Sequence, residues 1–352
     1  MQTISKKQRI EYFDLLRILA TLAVITIHVT GPYWYNTEIT SVQWQILSIF
    51  ESISRWSVPI FFMISGTLFL DGNRDIRQIL RKNILHVVTA FLFWSAIYSG
   101  INYAKGFFTI PDAIQEWLYG YYHMWYLYVI AGLYLAVPIL QKITQSRETT
   151  KYFLLMSFLF ACFFPQLSIW MGFFSPWFQD TANHMLSLLS FDLVCGYCLY
   201  FVLGWYLHST NLSEKARKII YTLGIVSLLA TVLLTSATSL WQKTPIHSFL
   251  EYLTPNTFFV SVSVFVFAKY HFSYGKLSPK LITVLQKLSL YSFGVYLVHP
   301  LLYDILRYNL GFDLMLWSPL FSVPAATLII TIASFLISAL IHQIPVLKKY
   351  IV

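Results

Sequence analysis

Apolar residues fall in long runs along this chain, with little strict alternation. The windows Ile18–Thr37, Tyr152–Gln179, Ile219–Gln242 and Met315–Val346 contain no Asp, Glu, Lys or Arg. A helix needs ~20 apolar residues to cross the hydrocarbon core of a bilayer, and each window reaches that length. Polar interruptions divide the remainder into similar segments. The pattern predicts about ten spans, at roughly 13–31, 53–70, 84–104, 123–140, 152–171, 188–207, 219–240, 249–268, 282–304 and 318–341. Connections are short, and no repeat at solenoid periods is present. The expected fold is therefore all-α: one polytopic membrane helix bundle of about ten transmembrane helices occupying residues 1–352. The segment 43–50, ahead of the second span, has the character of a helix lying along the membrane surface.

Composition agrees with this pattern. The chain is 57% hydrophobic and only 11% charged, against about 25% charged in soluble domains. A net charge of +9 would suit nucleic acid, but the distribution of that charge assigns it to membrane topology. With alternate connections grouped, nineteen of the 24 Lys and Arg residues fall on one side. Four (Arg55, Lys105, Lys243 and Arg307) fall on the other, and Arg17 lies inside the first span. By the positive-inside rule the rich side is cytoplasmic, which puts both termini in the cytoplasm. A multi-pass protein of the cell (cytoplasmic) membrane, with lipid and no nucleic acid as partner, is expected. The first span is expected to be retained: it is long, and Thr30-Gly31-Pro32-Tyr33 is unlike a cleavage site. Three cysteines make no disulfide framework, and Cys195 and Cys198 read as packing residues inside a span.

Ionisable residues inside spans are costly and therefore informative. The first span carries Asp14, Arg17 and His28. Arg17 and His28 are eleven residues apart, which on a helix is three turns plus ~20°, so they share a face with ~16 Å between them along the axis. Asp14, one turn from Arg17, is placed to hold it. Either this stripe lines a path through the bundle, or Arg17 snorkels to the cytoplasmic headgroups while His28 makes an ordinary hydrogen bond. His123 and His299 fall at similar outer depth. Imidazole suits general-base work on a hydroxyl, and a structural hydrogen bond is the alternative for each. No acidic or Cys partner stands at ligand spacing, so no metal is expected. Ser65-Gly66 is either a close helix contact or a narrow place where a slim ligand passes. Arg74, Arg77 and Arg81 suit phosphate, or are ordinary inside charge. Trp34 and Trp125 belong to an outer aromatic group that is either a headgroup belt or a platform for sugar rings.

Taken together, these segments resemble the membrane-bound acyltransferase family 3, the integral O-acyltransferases of bacterial surface polysaccharides. The resemblance is carried by Tyr12-Phe13-Asp14-Leu15-Leu16-Arg17 through His28, and by Pro59-Ile60-Phe61-Phe62-Met63-Ile64-Ser65-Gly66. It continues in His123-Met124-Trp125-Tyr126-Leu127 with Tyr134 and Pro138, and in Ser292-Phe293-Gly294-Val295-Tyr296-Leu297-Val298-His299. These pieces occur in the family's order over nearly the whole chain. The resemblance implies transfer of an acyl group, commonly acetyl, from cytoplasmic acyl-CoA to a hydroxyl of an extracytoplasmic glycan or lipid-linked sugar. It implies essential roles for Arg17 and His28 and an R-x-x-R loop at Arg74 and Arg77. The family's arginine pair usually sits nearer the third helix, where this chain has Arg81. An extracytoplasmic esterase-like domain found in some members is absent from the sequence.

The expectation is thus an O-acetyltransferase-type enzyme. Its catalytic residues would be His28 and Arg17. Acyl-CoA (acetyl-CoA) would lie on Arg17, Ser65, Gly66, Arg74, Arg77 and Arg81. The acceptor would lie near His123, Trp125, His299 and Trp34. The competing expectation is a transporter or flippase for a lipid-linked sugar or acylated precursor, in which the same stripe lines the substrate path.

Overall fold

The computed structural model describes residues 9–72, 75–189, 196–273 and 275–352, and every regular element among them is helical. In chain order the principal helices begin with α1 (Glu11–Trp34), α2 (Val42–Ser54), α3 (Ser57–Leu70), α4 (Leu85–Ala104) and α5 (Ile110–Tyr119). Next come α6 (Trp125–Thr144), α7 (Arg147–Phe158), α8 (Phe164–Gly172), α9 (Pro176–Leu189) and α10 (Cys198–Ser209). The last five are α11 (Glu214–Gln242), α12 (Pro255–His271), α13 (Pro279–Asp304), α14 (Pro319–Ile341) and α15 (Pro345–Tyr350). Their starts follow local chemistry. Ser41, Ser146, Ser213, Thr254 and Ser278 each accept a hydrogen bond from a backbone N–H in the first turn, satisfying donors that a helix start leaves free. Pro255, Pro279, Pro319 and Pro345 open their helices, where a missing N–H costs nothing. Gly120 ends α5 at φ 80°, a backbone conformation that side-chain-bearing residues rarely adopt.

Among the described residues, eight helical stretches are long and apolar enough to cross a membrane. Two of the ten expected spans correspond to shorter helices, α10 with 12 residues and α12 with 17. The cause at α12 is local: the Thr254 cap and Pro255 start the helix six residues later than apolarity alone suggests. The expected second span, 53–70, corresponds to α3, and α2 covers the segment 43–50 expected to lie along the membrane surface. The face of α2 bearing Trp44, Leu47, Ser48 and Glu51 is buried against α1, while Val42, Ile49 and Ile53 are exposed. On the periphery, α11 leaves Ile225, Val226, Leu229 and Leu233 exposed, as α14 does Leu328, Ile329, Ile332 and Leu336. Apolar surface on this scale is compatible with lipid and not with water.

At the centre, α1 packs against α2, α3, α13 and α14, so its polar stripe faces other helices. The crossing of α3 and α10 is close because each supplies a glycine. A Cβ on Gly66 would collide with the backbone carbonyl of Phe201, and one on Gly204 with that of Met63. Of the two readings of Gly66, the close helix contact is the one the geometry shows.

Candidate active site

The polar stripe of α1 lines a cavity of about 190 Å³ that holds both Arg17 and His28. Val24, Val58, Phe61 and Ile130 make its apolar wall, and Ser65, His123, Trp125, Tyr126, Tyr252 and Tyr296 supply polar or aromatic groups. Arg17, His28, Ser65, His123 and Trp125 are thus brought together. Trp125 stacks near-parallel on Tyr252 with ring centroids 5.8 Å apart. Gly66 is turned away into the α3–α10 contact.

The histidines form one cluster. His28 Nδ1 lies 2.6 Å from His299 Nε2, with the two ring planes within 8° of each other. His299 Nδ1 lies 3.2 Å from the Val295 carbonyl. A carbonyl only accepts, so Nδ1 of His299 carries the hydrogen and its Nε2 is the acceptor. His28 must then donate through Nδ1, which leaves its Nε2 lone pair free. This assignment rests on donor–acceptor accounting, and it gives His28 the tautomer a general base needs. The expectation that placed His299 beside the acceptor is therefore refined, because its ring faces His28. His123 is 2% exposed, with its ring centroid 6.4 Å from that of His28. Neither of its ring nitrogens has a hydrogen-bond partner among the described residues. A buried polar group in that state is costly unless something else satisfies it. Tyr122, about half exposed, lays its ring edge-on to His28 at 5.2 Å. No group of three or more His, Cys, Asp or Glu placed to hold a metal ion occurs among the described residues.

A local defect in α13 presents His299. Pro300 follows it inside the helix and removes one ladder donor. The Tyr98 hydroxyl then inserts into the ladder, donating to Leu297 O at 2.8 Å and accepting from Leu301 N at 3.2 Å. Such an insertion is a recognised cause of helix distortion, and here it falls beside the histidine. The Tyr98 ring stacks on Tyr121 at 4.4 Å, tying the defect to the segment that carries His123.

At the other end, Arg17 Nη1 reaches Ser289 Oγ at 3.2 Å and Asp14 Oδ1 at 3.4 Å. The closer partner of Asp14 is Arg9, whose Nε and Nη2 donate to its two oxygens at 2.7 and 2.9 Å. This fork takes up most of the carboxylate's capacity and leaves Arg17 available to the cavity. Beyond Arg17 lies a second, larger cavity of about 620 Å³, lined by Arg81, Lys82, His86, Lys348 and Lys349 among others. The two cavities share Val87, Tyr134 and Phe293 as walls. Arg81 and Lys82 sit on a wide π turn, Ile79–Ile84, that leads into α4. Arg77 is exposed, one turn earlier, and lines neither cavity. Arg74 lies outside the described residues, as does Cys195.

Two expected or unexpected residues stand apart from the cavity. Trp34 is 1% exposed, stacked on Trp44 at 5.5 Å, with Nε1 donating to Ser48 Oγ at 2.7 Å. Its surroundings are a packed core, with no open face for a sugar ring. Glu51 is fully buried, accepts from Thr30 Oγ1 at 2.6 Å and pairs with Arg55, whose guanidinium lies 5.8 Å from the Tyr252 ring centre. Sequence reading had counted Arg55 only as a charge near a span end. Glu51 four residues earlier is the signal that marks it as a paired, buried cation.

Helices of this length and apolarity define an integral, multi-pass membrane protein, and a cluster of histidines borders its internal cavity. The chain matches the Acyltransferase domain family (Acyl_transf_3) over residues 10–342, and it belongs to that family. It is also similar to probable poly-beta-1,6-N-acetyl-D-glucosamine export proteins of Staphylococcus aureus strains MSSA476 and MW2. The identity to each is 22% over 311 residues, covering 86% of this chain and 84% of the relative. No solved structure matches the chain significantly.

Proposed function

We propose that this protein transfers an acyl group, most simply acetyl, from cytoplasmic acyl-CoA to a hydroxyl of a glycan or lipid-linked sugar on the outer side. The observation that carries the reading is the pair of adjacent cavities that share Val87, Tyr134 and Phe293 as walls. One is rimmed by cations and suits phosphates. The other is slim and largely apolar, and ends at imidazoles. A pantetheine arm is neutral and narrow, and passes Arg17 and Ser65 without desolvating a charge. In the step proposed, His28 Nε2 takes the proton of the acceptor hydroxyl, whose oxygen attacks the thioester carbonyl. The C–S bond breaks, and the CoA thiolate recovers the proton from His28. The unpartnered nitrogens of His123 suit a hydrogen bond to the acceptor hydroxyl or to the oxyanion. The topology that goes with this reading has ten crossings and both termini cytoplasmic, α10 and α12 being the short spans. Acetyl-CoA binding to the purified protein in nanodiscs, wild type against Arg17→Ala, tests it. Saturable binding weakened in the variant is expected, and no binding to any short-chain acyl-CoA by folded wild type refutes the donor reading.

The second reading is movement of a glycan or its lipid-linked precursor, and it is favoured by the relatives' description as export proteins. The two readings part at the donor: a flippase needs no acyl-CoA, so the binding experiment above separates them.

A further inference from the structure

We infer that the segment 345–352 is part of a phosphate-binding site at the mouth of the larger cavity, with Lys348 and Lys349 as ligands to the phosphates of the donor's nucleotide. The inference rests on the acyl-CoA reading above and assigns the residues that hold the charged end of that donor.

Positive-inside bias explains why lysines follow the last long helix, but not where they are held. After α14, Pro345 starts the short helix α15, and the chain then runs back along one face of α4. Three side chains of that helix hold three successive backbone carbonyls of the tail. His86 Nδ1 meets Lys349 O at 3.2 Å, Thr89 Oγ1 donates to Tyr350 O at 2.7 Å, and Trp94 Nε1 donates to Ile351 O at 3.1 Å. The Trp94 bond is buried, and Ile351 and Val352 are themselves less than 9% exposed. Gly294 chiefly admits Ser338 of α14, whose Oγ a Cβ there would meet first, and such a Cβ would also stand 3.2 Å from Val352 Cγ1. The backbone that carries the lysine pair is thereby held against α4.

The lysines line this cavity together with Arg81 and Lys82. None of these four side chains forms an ion pair with an acidic group among the described residues. Four cations gathered around about 620 Å³ suit a polyanion. The volume lies within the ~300–1,000 Å³ of small-molecule sites, and its inner wall is the shared wall of the narrower cavity. A polyanionic head with a thin neutral tail matches that shape. Lipid phosphate has the same chemistry, but its two bulky chains do not match the inner cavity.

The test uses full-length protein in phosphatidylcholine nanodiscs, with acetyl-CoA and acetyl-pantetheine as probes. Lys348→Ala/Lys349→Ala should weaken acetyl-CoA binding about tenfold, as expected for loss of charge-assisted contacts, and leave acetyl-pantetheine binding unchanged. Lys348→Arg/Lys349→Arg, which keeps the charge, should stay near wild type. Unchanged acetyl-CoA affinity in a folded alanine variant would overturn the inference while leaving the acyl-CoA reading intact, and would return the lysines to lipid phosphate. Wild type that fails to bind acetyl-CoA would remove that reading, and this inference with it.

Discussion

Replacing His299 by phenylalanine isolates the contact on which the histidine pair depends. Phenylalanine keeps an aromatic ring beside His28 and puts a C–H in place of the Nε2 acceptor 2.6 Å from His28 Nδ1. The Nδ1–H tautomer of His28 then carries a buried donor without a partner, which costs about 1–3 kcal/mol. The other tautomer, with its hydrogen on Nε2 toward the cavity, avoids that cost but has no lone pair where the hydroxyl must bind. The active tautomer is therefore depleted roughly 5- to 150-fold, since 1.36 kcal/mol is a factor of ten. The assay is release of CoA thiol from acetyl-CoA by protein in nanodiscs, followed against donor concentration. The account predicts kcat lowered about 10- to 100-fold with donor affinity unchanged, because His299 lies behind His28 and away from the cationic mouth. A kcat within twofold of wild type would refute the tautomer argument, even if His28 itself proved essential.

Other expectations concern stability and the division of labour among residues. Gly66→Ala and Gly204→Ala each drive a methyl into backbone, so each should cost about 1–3 kcal/mol. Gly132→Ala, inside α6 with open space around it, should instead stabilise by about 0.5–1 kcal/mol. Glu51→Ala leaves Arg55 without its buried counter-ion and should cost about 3–5 kcal/mol. Glu214→Ala, which breaks an exposed pair with Lys218, should cost less than about 1 kcal/mol; the two are compared by thermal denaturation in detergent. Trp34→Ala should lower the unfolding temperature with little change in the turnover of folded protein. Trp125→Ala should do the reverse, and acyl transfer measured beside unfolding separates them.

How much of this was legible before the structure depended on distance in sequence. Eight of the ten expected spans followed from hydropathy, because bilayer thickness sets the length of a crossing helix. The shared face of Arg17 and His28 followed from helical periodicity, since both lie on one rigid element. Convergence of His28 with His123 and His299 was foreshadowed only as similar depth; which nitrogen meets which depends on how α1 and α13 rotate against each other. The role of Pro300 with Tyr98 was hidden, because the hydroxyl that repairs the helix comes from about two hundred residues away. Trp34 and Trp125 looked alike as outer aromatics, yet one packs into a core and the other borders the cavity. Lys348 and Lys349 read as topology signals, because docking of the tail on α4 leaves no local pattern.

The central claim is that His28 performs the chemistry at the end of a donor path that other residues form. It is tested most directly by comparing wild type with His28→Ala for acetyl-CoA affinity and thiol release in the same nanodiscs. The account predicts unchanged affinity with turnover lowered about 10²–10⁴-fold, the range a general base contributes. Wild-type turnover in the folded variant would contradict it.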